Sequence, residues 1–475
     1  MDAPNKHQTG WNRHAYIVVA LGIILITLWS WMMRLRITTL TGSFFVGYLF
    51  AMLGFITIVA LSVAGFWLTI RYFMAEYASK KRISYWFLVR LFVVWAAVEY
   101  TISILVAIVW MGRGGSLDTV LPFGSFTPFL AYTPFGLLAR FVGFYGLSAA
   151  FVVIATTLAG KKLRRFAIPL ILGASILIAI SWLAYRQPTG PSTKVQIISN
   201  KLEDWPAEAS TDSQIVLYPE YGLDYASPRI IDSLFKNNTA TDALYIGSWH
   251  NQTSGGAQNE LVFGSHKKGV FASRQKARLI PAGEYIPYAA EYILKATHSR
   301  TMLANFKVQR ELQPGTVKAA PVSLGNGIVV GSGVCASIIA PEDYRHMTKN
   351  GATLLTNSAS LGIFDSPIFD IEHAGLAKFM ATANARPFVQ SSSNGYAFGL
   401  DHNGRTQTRI KPGTSTVTTR TNAKKTPYTY LGEWVAYVGL GAMTYGGLKK
   451  LRAMKARRSA GTRQPAPQGP KPKQR

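Results

Sequence analysis

Gly327-Ile-Val-Val-Gly-Ser-Gly-Val-Cys335-Ala-Ser-Ile-Ile339 carries the only cysteine of a 475-residue chain. A β-branched run enters (Ile328, Val329, Val330), small residues follow (Gly331, Ser332, Gly333), and the thiol comes next but one. Glycine permits tight bends and close backbone approach. The pattern predicts a strand ending in a turn that presents one side chain. Taken alone, Cys335 is equally well read as a buried structural thiol, the commonest state of a free cysteine. A single cysteine cannot form an intramolecular disulfide, so it says nothing of redox compartment.

Working outward, apolar residues are spread unevenly. The chain is 48% hydrophobic and 15% charged, yet most of its long apolar runs precede residue 186. Spans are predicted near 15–33, 44–70, 85–111, 141–160 and 166–185. Each is long enough to cross a hydrocarbon core of ~30 Å at ~1.5 Å per residue. The first is longer than a signal-peptide core, and no small-x-small cleavage site follows it, so an anchor is the better reading. Glu99 lies mid-span, where an ionisable group calls for a partner, a polar cavity or a proton. Leu121 to Leu138 is apolar but holds Pro122, Pro128 and Pro134, which break helical hydrogen bonding and predict a loop at the interface.

The net charge of +27 raises nucleic acid as a partner. Much of it, however, sits in Lys80-Lys81-Arg82, in Lys161-Lys162-Leu163-Arg164-Arg165 and in the tail. Short basic links between apolar spans are a topology signal. Five spans from a cytoplasmic N-terminus put both links inside and the polar region after Tyr185 outside. A glycine-rich stretch at 431–448, with Glu433 at its start, would return the chain. Residues 449–475 hold ten Lys or Arg and no acid, and predict a disordered cytoplasmic tail able to touch anionic lipid. No specific nucleic acid is expected. The whole describes a multi-pass cell (plasma) membrane protein with an extracytoplasmic domain over 192–425.

That domain alternates β-rich and helical segments. Val195–Ile198, Gln214–Tyr218, Ala243–Ser248, Gly327–Val334, Ala352–Thr356 and Phe388–Ser391 read as strands. Ser227–Phe235, Pro341–Asn350 and Glu372–Ala385 read as helices, which together predict a layered α/β domain. Two further segments carry chemistry. Gln214-Ile-Val-Leu-Tyr-Pro-Glu220 is a strand ended by proline and one carboxylate. Lys276-Ala-Arg-Leu-Ile-Pro-Ala-Gly-Glu284-Tyr-Ile-Pro287 sets a lysine and a second carboxylate around a Pro/Gly turn. Either alone is weak, since such a carboxylate is more often a cap and such a lysine a surface group. Strand–Pro–Glu, then Lys…Pro-x-Gly-Glu, then strand–Gly–x–Cys, in that order, is specific.

These residues resemble the nitrilase superfamily, whose catalytic set is Glu, Lys and Cys, and more closely its membrane branch, the apolipoprotein N-acyltransferases. Arg278-Leu-Ile-Pro-Ala-Gly-Glu-Tyr-Ile-Pro287 is similar to that family's Leu-Val-Pro-Phe-Gly-Glu-Tyr-Val-Pro run. Ala385-Arg-Pro-Phe-Val-Gln-Ser-Ser-Ser-Asn-Gly395 resembles its Gly-Arg-Pro…Asn-x-Gly segment. Val142-Gly-Phe-Tyr-Gly-Leu-Ser148 and Trp95-Ala-Ala-Val-Glu-Tyr100 echo its membrane helices. The resemblance implies a multi-span α-helical membrane domain joined to an α/β nitrilase-like domain, an α-β-β-α sandwich. It implies Glu220 as general base, Lys276 as oxyanion stabiliser, Cys335 as nucleophile and Glu284 as accessory glutamate, with no cofactor or metal. The implied partners are a phospholipid acyl donor and a lipoprotein acceptor. Departures stand at Tyr218, where the family has Trp, at Ala336-Ser337 for Tyr-Glu, and at Asn357-Ser-Ala-Ser-Leu-Gly362 for Asn-Asp-Ala-Trp-Phe-Gly. A membrane-anchored amidase using the same triad, or a scaffold without activity, remains open on the sequence.

Overall fold

The computed structural model describes residues 8–35, 44–114, 124–199, 212–223, 228–237, 243–254, 256–297, 300–317, 319–364 and 366–461. Five of its helices are long and apolar enough to cross a membrane. They are Gln8–Trp29 (continued by a 3₁₀ turn, Ser30–Arg34), Phe44–Ser79, Tyr85–Val109, Ala139–Ala159 and Ala167–Ala184. Helix Phe44–Ser79 runs well past the apolar run that ends at Ile70. The proline-containing stretch, expected to be a loop, is described from residue 124. It folds as one helical turn, Thr127–Leu130, and a 3₁₀ turn, Pro134–Leu138, ahead of the next helix.

That next helix is broken near its start. Gly143 sits at φ 74° and ψ −166°, inside the left-handed half of backbone space that side chains disfavour. The break frees two amides, and the N–H groups of Phe144 and Tyr145 donate to Glu433 at 3.0 and 3.1 Å. Glu433 therefore ties the closing helix, Trp434–Gly461, to the break. Val435 and Ala436 are buried, and Tyr437 meets Tyr100 of helix Tyr85–Val109 edge to face. This closing helix is not among the five apolar enough to span, because glycines and Lys449-Lys450 dilute its apolar run. Disorder was expected from Lys449, but the helix continues to Gly461. Leu451, Arg452, Ala453, Met454 and Lys455 are good helix formers that extend it. Residues 462–475 lie outside the described set. Glu99 is buried as foreseen for a partnered group: the Ser148 hydroxyl donates to it at 3.1 Å, and it lines a small cavity with Ser62, Ser103, Ser125 and Tyr145.

Past Tyr185 the chain forms two six-stranded mixed sheets. One contains β1 (Ser192–Ser199), β2 (Ile215–Leu217), β3 (Leu244–Thr253), β4 (Gly256–Ser265), β5 (Gly269–Gln275) and β12 (Gly413–Arg420), in the order β12-β1-β2-β3-β4-β5. The other contains β6 (Val322–Gly325), β7 (Ile328–Val334), β8 (Leu354–Ser360), β9 (Phe388–Ser393), β10 (Ala397–Leu400) and β11 (Thr406–Ile410), in the order β11-β10-β9-β8-β7-β6. The neighbours β1-β2-β3 and β7-β8-β9 run parallel, and the outer pairs antiparallel.

Side chains alternate across each strand. Val195, Ile197, Ile215, Leu217, Leu244 and Ile246 of the first sheet face Val330, Val334, Leu354 and Val389 of the second, and all are buried. Burying each such side chain contributes roughly 1.5–3 kcal/mol, so this layer is the main cohesion between the sheets. On the outer face of the first sheet, Ile231 and Phe235 of helix Pro228–Asn237 cover Val216 and Tyr245. On the outer face of the second lie helices Pro341–Lys349 and Pro367–Asn384. The layering is α-β-β-α.

Helix Pro367–Asn384 also forms the seam with the apolar helices. Phe379 meets Phe144 edge to face at 5.1 Å. Arg140, fully buried, donates to the carbonyls of Ser181 at 3.0 Å, Thr382 at 3.0 Å and His402 at 2.9 Å, joining two apolar helices to the sandwich.

Candidate active site

The four residues singled out in the sequence meet at one end of the sandwich, where strands of both sheets finish. Glu220 follows β2, Lys276 follows β5, Cys335 follows β7, and Glu284 closes the turn after Lys276. Crevices at the carboxyl ends of parallel strands are natural sites, because several chain segments end there together. The Glu220 amide donates to the Ala359 carbonyl at 3.2 Å, which pins the first sheet's carboxylate to the second sheet.

Cys335 is presented by a strained turn. Its φ is 41°, which β7 reaches on entering the 3₁₀ turn Cys335–Ile339. Gly333 is required two residues earlier, since a Cβ there would lie 2.2 Å from the Tyr344 hydroxyl. Ser337 anchors the turn by accepting the Val334 amide at 3.1 Å. Backbone strain of this kind is held by surrounding packing and concentrates at functional sites.

Lys276 lies between two carboxylates, with Nζ 2.8 Å from Glu220 Oε1 and 2.7 Å from Glu284 Oε1. Glu284 is held in turn by the Tyr221 hydroxyl at 3.1 Å and, through Oε2, by the Ile280 amide at 2.8 Å. Asn259 Nδ2 donates to Glu220 Oε1 at 2.8 Å. Arg278 forms a two-pronged bond with Asp343, at 2.7 and 2.6 Å, clamping the lysine–glutamate turn to the helix after Cys335.

The electrostatics follow from burial. Glu220, Lys276 and Cys335 are each no more than 3% exposed. Burial pushes the Lys276 ammonium down, but the Glu220 and Glu284 carboxylates outweigh it and hold the group well above its usual range. Burial raises Glu220, the Lys276 charge pulls it back, and Glu284 pushes it up again, leaving it above an ordinary glutamate. Burial and then the Glu220 charge push the Cys335 thiol well up. Cys335 therefore rests as a thiol beside a carboxylate with raised proton affinity and a fixed cation. Such a set can pass the thiol proton to the carboxylate as sulfur attacks, with Lys276 facing any negative charge that forms.

Cys335 also lines an apolar cavity of about 120 Å³. Ala336, Ile338, Leu361 and Phe364 form one wall, and Trp29, Trp31, Met32, Ile58 and Trp110 from the apolar helices form the other. Alanine at 336 leaves room in that wall that an aromatic side chain would occupy.

Asn259 and Tyr221 were not foreseen. Asn259 offered one signal, a poor strand former within an otherwise strand-like run, which indicates a polar contact rather than packing. Arg386 of the Arg-Pro segment is structural. It is buried and donates to the carbonyls of Ala352, Asn384, Ala385, Ala423 and Lys424.

No family model matches the chain. It is similar to the apolipoprotein N-acyltransferase of Vibrio vulnificus, with 22% identity over 320 residues, covering 60% of this chain and 61% of that protein. The protein of the same name from Azotobacter vinelandii is 24% identical over 316 residues, 58% of each chain. The chain thus spans about three-fifths of the length of these relatives. Among solved structures, an amidase from Nesterenkonia sp. matches 50% of this chain and 93% of its own at 14% identity, with a TM-score of 0.35. A carbon-nitrogen hydrolase from Helicobacter pylori matches 48% and 89% at 14% identity, with a TM-score of 0.35.

Proposed function

We propose that this protein is a membrane N-acyltransferase that moves a fatty acyl chain from a phospholipid, through a thioester on Cys335, to the α-amino group of a lipoprotein's N-terminal cysteine. The observation that carries the reading is the apolar cavity at Cys335, whose far wall belongs to the apolar helices. A nucleophile opening onto such a cavity suits a substrate that stays in the bilayer. The similarity to proteins named apolipoprotein N-acyltransferase supports the acceptor's identity.

In the first half-reaction the Cys335 sulfur attacks an ester carbonyl of the lipid while Glu220 takes the thiol proton. Lys276 stabilises the oxyanion, and one such donor is typically worth ~3 kcal/mol. Collapse breaks the carbon–oxygen bond, and Glu220 returns its proton to the departing alkoxide, leaving the thioester. In the second half the amine attacks, Glu220 accepts its proton, and Cys335 leaves as thiolate and is reprotonated. Glu284 keeps Lys276 charged throughout. The extracytoplasmic placement of the sandwich belongs to this reading and is supported by the basic links at residues 80–82 and 161–165, which favour the opposite face.

The test is transfer. Purified protein with phospholipid and a synthetic diacylglyceryl-cysteine peptide should yield the N-acylated peptide, seen as the mass of one acyl amide that survives hydroxylamine. Free fatty acid with no acylated peptide would instead identify a hydrolase.

A further inference from the structure

The two basic links, far apart in sequence, meet in space. Lys162 Nζ donates to the carbonyls of Tyr77 at 2.9 Å and Lys80 at 2.7 Å, and the Arg165 guanidinium donates to the Ile83 carbonyl. Lys80-Lys81-Arg82 is thereby held against Lys161-Lys162-Leu163-Arg164-Arg165, seven cations in all. Among the described residues one carboxylate answers them, Glu76, which pairs with Lys80 and with Arg90, each at 2.5 Å. Lys81, Arg82, Lys161, Arg164 and Arg165 are exposed and make no ion pair among the described residues. Like charges held this close repel one another, and anions from outside the chain relieve that repulsion.

The cluster stands at the mouth of an apolar groove. A space of about 640 Å³ opens between helices Tyr85–Val109, Ala139–Ala159 and Ala167–Ala184. Its walls carry no charge; Phe166, Leu170, Gly173 and Leu177 line it together with Phe92 and Val153. Phe166 to Leu177 spans ~16 Å at ~1.5 Å per residue, about half of a ~30 Å hydrocarbon core and so the depth of one leaflet. The groove is open because helix Ala167–Ala184 packs loosely, with only Ser181 buried. At Gly173 a Cβ would meet nothing within 4 Å. At the mouth Tyr85 and Phe166 meet edge to face at 6.3 Å, and the Arg165 guanidinium lies 4.7 Å over the Phe166 ring. The groove shares no lining residue with the cavity at Cys335. Its mouth is a helix length away from Tyr185, where the chain leaves for the sandwich.

We propose that this groove holds one anionic phospholipid of the leaflet away from the sandwich, with an acyl chain along Phe166–Leu177 and the phosphate on Arg165. A guanidinium has five donors in a fork that matches phosphate, and the bond to Ile83 leaves others free for it. The neighbouring cations favour a headgroup of net negative charge, because a zwitterionic one brings its own ammonium. The lipid is a structural strut for a loosely packed helix rather than a substrate. The inference goes beyond the acyl-transfer reading and does not rest on it.

The test titrates phosphatidylglycerol and phosphatidylcholine of the same chains into delipidated, detergent-solubilised protein and counts bound lipid by native mass spectrometry. One phosphatidylglycerol should bind per chain about tenfold more tightly than phosphatidylcholine, the effect of one charge-assisted hydrogen bond. Arg165→Gln keeps a donor for the Ile83 carbonyl and removes the charge, and should bring the two lipids to equal affinity. Gly173→Leu fills open space and favours the helix, so it should abolish tight binding of both lipids without lowering the melting temperature measured in detergent alone. Equal affinities in the native protein would overturn the proposal, as would a preference that survives Arg165→Gln or binding unchanged by Gly173→Leu. A dimer in detergent that Gly173→Leu disperses would also overturn it, by placing a second copy of the chain in the groove.

Discussion

Replacing Lys276 by Met keeps the length of the side chain and removes its charge. In the native site Nζ lies 2.8 Å from Glu220 and 2.7 Å from Glu284. Two consequences follow. Loss of the cation removes the group facing the oxyanion, which for a single donor costs a factor of ~100 or more. It also leaves two buried carboxylates without a counter-charge, so one takes up a proton. Glu220, already raised by burial and by Glu284 and pulled back by Lys276, rises further once that pull is gone. The variant should therefore acylate Cys335 at least ~100-fold more slowly near neutral pH. Part of that loss should be recovered as pH rises, because Glu220 must ionise to accept the thiol proton. The assay is single-turnover acylation from phospholipid followed by intact mass across pH, with melting temperature as a check on folding. Acylation within threefold of the native rate at every pH, in folded protein, would refute the oxyanion argument.

Three further outcomes are expected. Arg140→Met removes hydrogen bonds to Ser181, Thr382 and His402 at the seam, leaving buried carbonyls unsatisfied; a loss of ~2–4 kcal/mol should appear as a clear fall in melting temperature. Glu372, pushed up to about 8 by burial against the pull of hydrogen bonds from Gly124 and Trp31, favours its protonated form when folded. Its contribution is complete below about pH 4.5 and lost as pH rises through about 8, whereas neighbouring His373 loses its own only as pH falls from 6.5 through about 4. The melting temperature should thus decline between about pH 6.5 and 8, and Glu372→Gln should flatten that decline. For sidedness, single cysteines replacing exposed Thr416 and Arg452 in a Cys335→Ala background should differ on intact cells. An impermeant maleimide should label position 416 at once and position 452 only after the cells are opened; the reverse pattern would place the sandwich in the cytoplasm.

What the sequence disclosed follows from how each signal is encoded. Long uncharged runs are read residue by residue, so the apolar helices were visible, as were central strands such as β7 and β8, which open on Ile328-Val329-Val330 and Leu354-Leu355. Strands β4, β5 and β10 and the edge strands β6, β11 and β12 were not; Val322–Gly325 has only four residues, and Thr406–Ile410 and Gly413–Arg420 are largely exposed and rich in Thr. The helix Trp434–Gly461 was read as ending near Leu448, because a hydropathy boundary was taken for a helix boundary, although lysine and arginine extend a helix readily. Glu220, Lys276, Glu284 and Cys335 could be named because each ends a strand or closes a turn with its own local signature. Asn259 carries only a weak one, a polar residue within a strand-like run, and Tyr221 carries none. Their placement depends on which faces of separate elements meet, and that is decided only by packing.

The central claim is that Cys335 carries an acyl chain between donor and acceptor, and the most direct measurement is the mass of the protein after incubation with phospholipid and no acceptor. The native chain should gain one acyl group on Cys335, released by hydroxylamine as a thioester is, and lost on adding an amine acceptor. Cys335→Ala and Glu220→Gln should gain nothing. A folded native protein that stays unmodified after hours with several phospholipids, or an acyl group borne on any other residue, would contradict the account.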